Sequence, residues 1–378
     1  MLDNTKIYFE NLNAIRFIAA LLVIVHHIEN QKFIFNITPN LWFGCDTIRL
    51  IGSLGVVLFF VLSGFLITYL LFVEKKMTDT IDVKKFYIRR VLRIWPLYFF
   101  LIIISAFVLP EIDFFTIPGA GKEIVSRNFI FKIVLYVVFL PNLALTLLGG
   151  IPYATQAWSV GAEEQFYLIW PLLNKYIKNK WLLMFGIIVG YLIVKFAIKL
   201  NRINPLMNEI DQFWESISID CMAIGGVFAL ILFENNKITY YLRELLFAKT
   251  IQYFSLFCIL FFITIGLFVP FFQKEFYSVF FGIIIINFAA NKHRIFSMEN
   301  ALTNFLGRIS YGLYMYHLIA ITIAIKISKN FNYSNYIIYP VTILFTIVFA
   351  TISYYFFEVK FINKKKKYSP VLSGDNAK

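Results

Sequence analysis

The chain has 378 residues, 60% of them hydrophobic and only 15% charged, with a formal net charge of +13. Soluble domains carry about 25% charged residues, so this composition excludes a soluble enzyme with a single anchor and points to a chain that crosses a bilayer repeatedly. The positive charge sits in short loops between apolar runs, where it sets orientation against an anionic leaflet and does not call for nucleic acid.

Apolar segments follow one another near 12–29, 51–74, 92–110, 129–148, 160–174, 181–199, 216–233, 251–270, 272–290, 307–326 and 336–358. The first is not followed by a small-residue cleavage site, so it reads as a span and not as a cleavable signal. Lysine and arginine cluster at 75–93, 175–180, 237–248, 292–294 and 360–367. All of these clusters fall on one side only if one segment fails to cross. Segment 129–148 is the one to drop, because Pro141-Asn142 interrupts it and Gly149-Gly150 ends it. The expected fold is therefore all-α: a polytopic transmembrane bundle of about 10 spans plus one re-entrant segment, with both termini cytoplasmic. Residues 1–362 form the membrane domain and 363–378 a basic cytoplasmic tail.

The first span, IRFIAALLVIVHH, carries Arg16 near one end and His26 and His27 near the other. Ionisable residues at membrane depth are costly and mark function by default. Arg16 and His27 are eleven residues apart, almost three turns, so they share a helix face about 16 Å apart along the axis. A histidine there exchanges protons near neutral pH; the competing reading is a structural interhelical hydrogen bond. His26 points elsewhere and is structural or tunes its neighbour.

In GSLGVVLFFVLSGFL, Gly52, Gly55 and Gly64 permit close helix approach, and Ser63 is a packing residue more than a nucleophile. FYIRRVLRIWP places Arg89, Arg90 and Arg93 on neighbouring helix faces. They anchor the span to the cytoplasmic side or dock phosphates, which guanidinium groups match bidentately. QAWSVGAEEQFYLIWP puts Glu163 and Glu164 at the start of a span, about 100° apart, so that one of them reaches a central cavity. They orient a histidine or an acceptor hydroxyl, or simply begin a helix whose dipole favours acids. Asp220 in ISIDCMAIGG and His317 in LGRISYGLYMYH lie inside later spans with open roles. Cys45, Cys221 and Cys258 form no CxxC pair, and the histidines lack HExxH spacing, so neither a disulfide framework nor a metal is expected.

These six segments, in this order and over about 8–360, resemble the acyltransferase-3 family of membrane O-acyltransferases. The resemblance implies transfer of an acyl group, most often acetyl, from cytoplasmic acetyl-CoA to a hydroxyl of an envelope glycan, polysaccharide or lipopolysaccharide. It implies residence in the bacterial cytoplasmic membrane. The family's Arg-x10-His pattern falls on Arg16 and His27, its arginine-rich loop on Arg89, Arg90 and Arg93, and its Trp-Ser…Glu-Glu piece on Trp158, Ser159, Glu163 and Glu164. The family's Glu-x-Pro near the last span is here Glu358-Val359-Lys360. The implied site is thus His27 as general base with Arg16, Glu163 and Glu164, and the three arginines on the coenzyme's phosphates. The alternative is a transporter or flippase for a glycolipid or organic anion that uses the Arg–His pair as a gate.

Overall fold

A computed structural model describes residues 5–37, 46–119, 126–201, 205–369 and 371–373. Cys45 lies outside the described residues. In lipid, long apolar segments satisfy their backbone groups only as helix, and helices occupy each of the eleven apolar segments. They are α1 Leu12–Ile34, α2 Asp46–Thr78, α3 Val83–Ile103, α4 Phe129–Val137, α5 Pro141–Leu148, α6 Ala157–Tyr176, α7 Lys180–Leu200 and α8 Pro205–Ile217. Then come α9 Ile219–Phe233, α10 Lys237–Phe247, α11 Lys249–Thr264, α12 Gln273–Ala290, α13 Ala301–Arg308, α14 Ser310–Ser328, α15 Asn335–Ser353 and α16 Val359–Lys365.

Among the described residues, seven helices are long and apolar enough to cross a membrane, or eight if α10 and α11, bent by 62° at their junction, count as one span. Ten crossings were expected from the sequence. The difference has a physical cause. α6 carries Glu163, Glu164 and Gln165 in one turn, and α11 is only 16 residues long, so neither qualifies alone. α12 likewise stands outside the seven.

Segment 129–148 is broken as the proline suggested. α4 and α5 have nine and eight residues, each about 13 Å long against a hydrocarbon core of about 30 Å. Their junction turns at Phe139 with φ 59°. Two carbonyls at the break are held by side chains: Tyr98 donates to Tyr136 O at 2.8 Å and Gln165 to Phe139 O at 3.0 Å. The opposite face of α4 exposes Ile130, Phe131 and Val134.

α2 is the hub, packed against α1, α6, α9 and α12, while α14 packs on α1, α3 and α15. α2 and α9 touch backbone to backbone. A Cβ on Gly64 would lie 1.9 Å from Met222 O, and one on Gly225 would lie 2.1 Å from Val61 O. Only glycine fits at either position.

The two chain ends meet. β1 (Thr5–Ile7) pairs in parallel with β2 (Val371–Ser373), Thr5 opposite Val371. The boundary drawn after residue 362 falls inside α16, whose Lys365 turns inward, so the basic tail begins as part of the bundle.

Candidate functional site

Two adjoining cavities, of about 170 and 160 Å³, share a wall made by Arg16, Leu66, Ile67, Arg90 and Arg93. α1 contributes Arg16, whose guanidinium donates to Asn13 Oδ1 at 2.8 Å. α3 contributes Arg90 and Arg93, one turn apart. Arg90 lies over the rings of Phe86 and Tyr167, 5.7 Å from each centroid. Its Nε is buried without a hydrogen-bond partner in the described structure. Arg308 and Lys365 add two more cations to the second cavity. A concave, desolvated cluster of one sign focuses its field on an anion.

Arg89 behaves differently from its two neighbours. It pairs with Glu74 Oε2 at 2.7 Å and donates to Tyr368 O at 2.9 Å. It lines only a small recess beside the main pair of cavities. The spacing that put Arg89 and Arg93 on one face does not bring Arg89 to the cavity, because Glu74 on α2 captures it.

The two glutamates also separate. Glu163 lines the first cavity and accepts from Ser63 Oγ at 2.9 Å and from Tyr167 Oη at 2.8 Å. The two hydroxyls are themselves 3.0 Å apart. Glu164 turns toward α3 and accepts from Trp95 Nε1 at 3.0 Å. Ser63 is therefore part of a hydroxyl–carboxylate cluster on the cavity wall, and not only a packing residue.

The first cavity ends against Phe59, Phe60 and Tyr314. Phe59 and Tyr314 meet edge to face at 5.8 Å. Behind Tyr314 lie the histidines. His317 is fully buried and faces Tyr314 at 5.8 Å between ring centroids. Its Nδ1 is 2.6 Å from Tyr314 O, and its Nε2 is 3.1 Å from His27 Nδ1. His27 keeps partial exposure, and its Nδ1 is also 3.1 Å from Val23 O. His26 donates from Nδ1 to Ile48 O at 2.9 Å and lies against Gly52, where any side chain would strike its ring. So Arg16 lines the cavity while His27 sits one aromatic layer away from it. The shared helix face does not by itself put both in one chamber.

The residues that sequence reasoning missed are Arg308, Lys365 and Tyr167, and it left the partnership of His317 open. Arg308 is the Arg of LGRISYGLYMYH, and Lys365 was hidden in a run of lysines that reads as a solvated tail.

The acyltransferase domain family matches residues 9–355. The chain belongs to the acyltransferase-3 family. Among its relatives, the O-acetyltransferase OatA of Staphylococcus aureus is 27% identical over 375 residues, which cover 95% of this chain and 58% of that protein. The peptidoglycan O-acetyltransferase OatA of Listeria monocytogenes is 29% identical over 192 residues, 48% of this chain and 27% of that protein. The chain thus spans less than two thirds of the length of either relative. No solved structure matches it significantly.

Proposed function

We propose that this protein transfers an acetyl group from cytoplasmic acetyl-CoA to a hydroxyl of a bacterial envelope glycan or glycolipid, with His27 as general base. The observation that carries the reading is the paired cavity walled by Arg16, Arg90, Arg93, Arg308 and Lys365, which ends at Tyr314, one aromatic layer from the histidine pair. A cluster of cations suits a donor that is rich in phosphate. The meeting of the two chain ends and the basic loops support a cytoplasmic position for this mouth and for both termini. The relatives' names support an envelope glycan as acceptor.

In this reading the coenzyme's phosphates rest on Arg90, Arg93, Arg308 and Lys365. Arg16, at the junction of the cavities, holds the donor. The pantetheine arm extends along the first cavity toward the Phe59–Tyr314 layer, beyond which His27 lies. His27 takes the acceptor's hydroxyl proton as that oxygen attacks the thioester carbon. The new C–O bond forms, the C–S bond breaks, and the departing thiolate takes up the proton from the imidazolium. Glu163, with Ser63 and Tyr167, forms the polar wall past which the acyl end travels. Glu164, held by Trp95, steadies α3 and with it the arginines.

The test is protein in nanodiscs supplied with radiolabelled acetyl-CoA and a glycan acceptor, with label on the acceptor and released coenzyme both measured. Turnover that needs no membrane gradient, and that is lost in His27→Ala, supports the enzyme. Gradient-dependent flux without coenzyme release would instead support the transporter. Comparing envelope glycans by mass with and without the gene identifies the acceptor through an acetyl increment.

A further inference from the structure

From the geometry we infer that His317 is a positioning residue: together with Val23 O it holds the proton of His27 on Nδ1, and it takes a share of the charge when His27 is protonated. This rests on the reading of His27 as the base. The argument is one of donors and acceptors. A backbone carbonyl can only accept. His317 Nδ1 lies 2.6 Å from Tyr314 O, so that nitrogen carries the proton. In the neutral ring, His317 Nε2 is then a bare acceptor. His27 Nδ1 is 3.1 Å from this nitrogen and 3.1 Å from Val23 O. Both neighbours accept, so His27 Nδ1 carries its proton too, shared between them. Within this pair, the one nitrogen left with a free lone pair is His27 Nε2.

This is the arrangement in which a base is held by a third group so that the correct atom faces its proton donor. When His27 Nε2 takes a proton, the Nδ1–H bond to His317 Nε2 becomes a charge-assisted hydrogen bond. No other atom has to move, because the Tyr314 carbonyl already anchors the far end of His317. The other neighbouring ring is His26, centroid 5.1 Å from His27. Its Nδ1 donates to Ile48 O, and among the described residues it meets His27 through a ring contact and not a hydrogen bond. Full burial of His317 against partial exposure of His27 fits the division of labour: one imidazole meets substrate, and the other stays inside and holds it.

The test uses the full chain in nanodiscs with two variants. His317→Gln can still present an oxygen acceptor to His27 Nδ1–H, and His317→Leu cannot. Nitrogen-15 spectra of labelled histidine, with the His27 signals assigned through a His27→Gln variant, report the tautomer whether or not the protein turns over. Wild type and His317→Gln are expected to show His27 protonated at Nδ1 and bare at Nε2, and His317→Leu, left with Val23 O as the acceptor, to show a larger share of the Nε2-protonated form. In turnover, His317→Leu is expected to lower kcat by roughly 100-fold with KM for acetyl-CoA unchanged, and to shift the acid limb of the pH–rate profile. His317→Gln should recover much of the lost rate. An unaltered His27 tautomer and pH profile in His317→Leu would overturn the inference, as would a Gln variant no better than Leu in both readouts. If His27→Gln itself turned over normally, the general-base reading would fall, while the tautomer measurement would still report on the pair.

Discussion

Two charged regions of this bundle use similar residues in opposite ways. Around α7, α8 and α12, Lys195 pairs with Glu275 at 2.9 Å and with Glu215 at 3.3 Å, and Glu215 also takes Lys199 at 3.0 Å and Lys274 at 3.4 Å. Asp220 is buried beside Glu275. Cations and carboxylates there neutralise each other, and none of the described cavities is lined by them. Around α1, α3, α13 and α16, five cations gather on two joined cavities whose lining carboxylate is Glu163. A closed, balanced network holds helices together. A cavity-lining cluster with one sign in excess attracts the other sign. Depth in the membrane is therefore a weaker guide to function than charge balance about a cavity.

The comparison breaks first at Lys195, which is 2% exposed. Lys195→Met leaves Glu215 and Glu275 with a buried partner missing. Removing one member of a buried ion pair costs roughly 3–5 kcal/mol. The expected outcome is a large fall in the melting temperature of the purified protein, while the fraction that stays folded keeps its KM for acetyl-CoA. A raised KM with unchanged stability would place this network in the donor path and erase the distinction.

The cavity side is tested by its arginines. Charge-assisted hydrogen bonds are worth about 1.5–3 kcal/mol, so Arg90→Gln or Arg93→Gln should raise KM for acetyl-CoA by about 10- to 100-fold with little change in stability. Arg89→Gln should do the reverse. It frees Glu74, which is almost wholly buried, and so lowers stability while leaving KM near the parent value. If all three variants raised KM alike, the ion pair to Glu74 would not exclude Arg89 from donor binding.

Much of this was legible in the sequence. Apolar length located the long helices but not the amphipathic or short α8, α10, α13 and α16, and Pro141 marked the broken segment because a proline deprives a helix of one hydrogen bond. Glu163 and Glu164 were separable because adjacent residues on a helix diverge by about 100°. What was not legible depended on partners far away in the chain. Arg89 and Arg90 are indistinguishable until Glu74 and Tyr368 are in place. His27 and His317 are 290 residues apart, and nothing in local spacing joins them. Lys365 looked like tail because the contacts that draw it inward, α16 on α3 and β2 on β1, join it to residues far away in the chain.

The smallest expected effect concerns what aims the cavity's arginines. Asp82 caps α3, accepting from Lys85 N at 3.0 Å, and its ammonium neighbour on Lys85 is 3.0 Å away. The backbone hydrogen bond from Lys85, followed by the charges of Lys85 and Arg89, holds this carboxyl below the usual aspartate range. A group with a depressed folded pKa contributes stability above its unfolded value, about 3.9, and loses it as the pH falls through the folded value. Asp82→Ala should cost about 1 kcal/mol near pH 7. Asp82→Asn keeps an oxygen for the cap and should cost only a few tenths of that. Thermal melts of parent and Asn variant should begin to converge as the pH drops below about 3.9 and meet below the folded value, where the carboxyl is neutral in both states of the parent. The side chain is 39% exposed, so salt should shrink the gap at neutral pH as well. A gap that persisted undiminished in acid would mean that Asp82 acts through its shape and not its charge, and that α3 is aimed by packing alone.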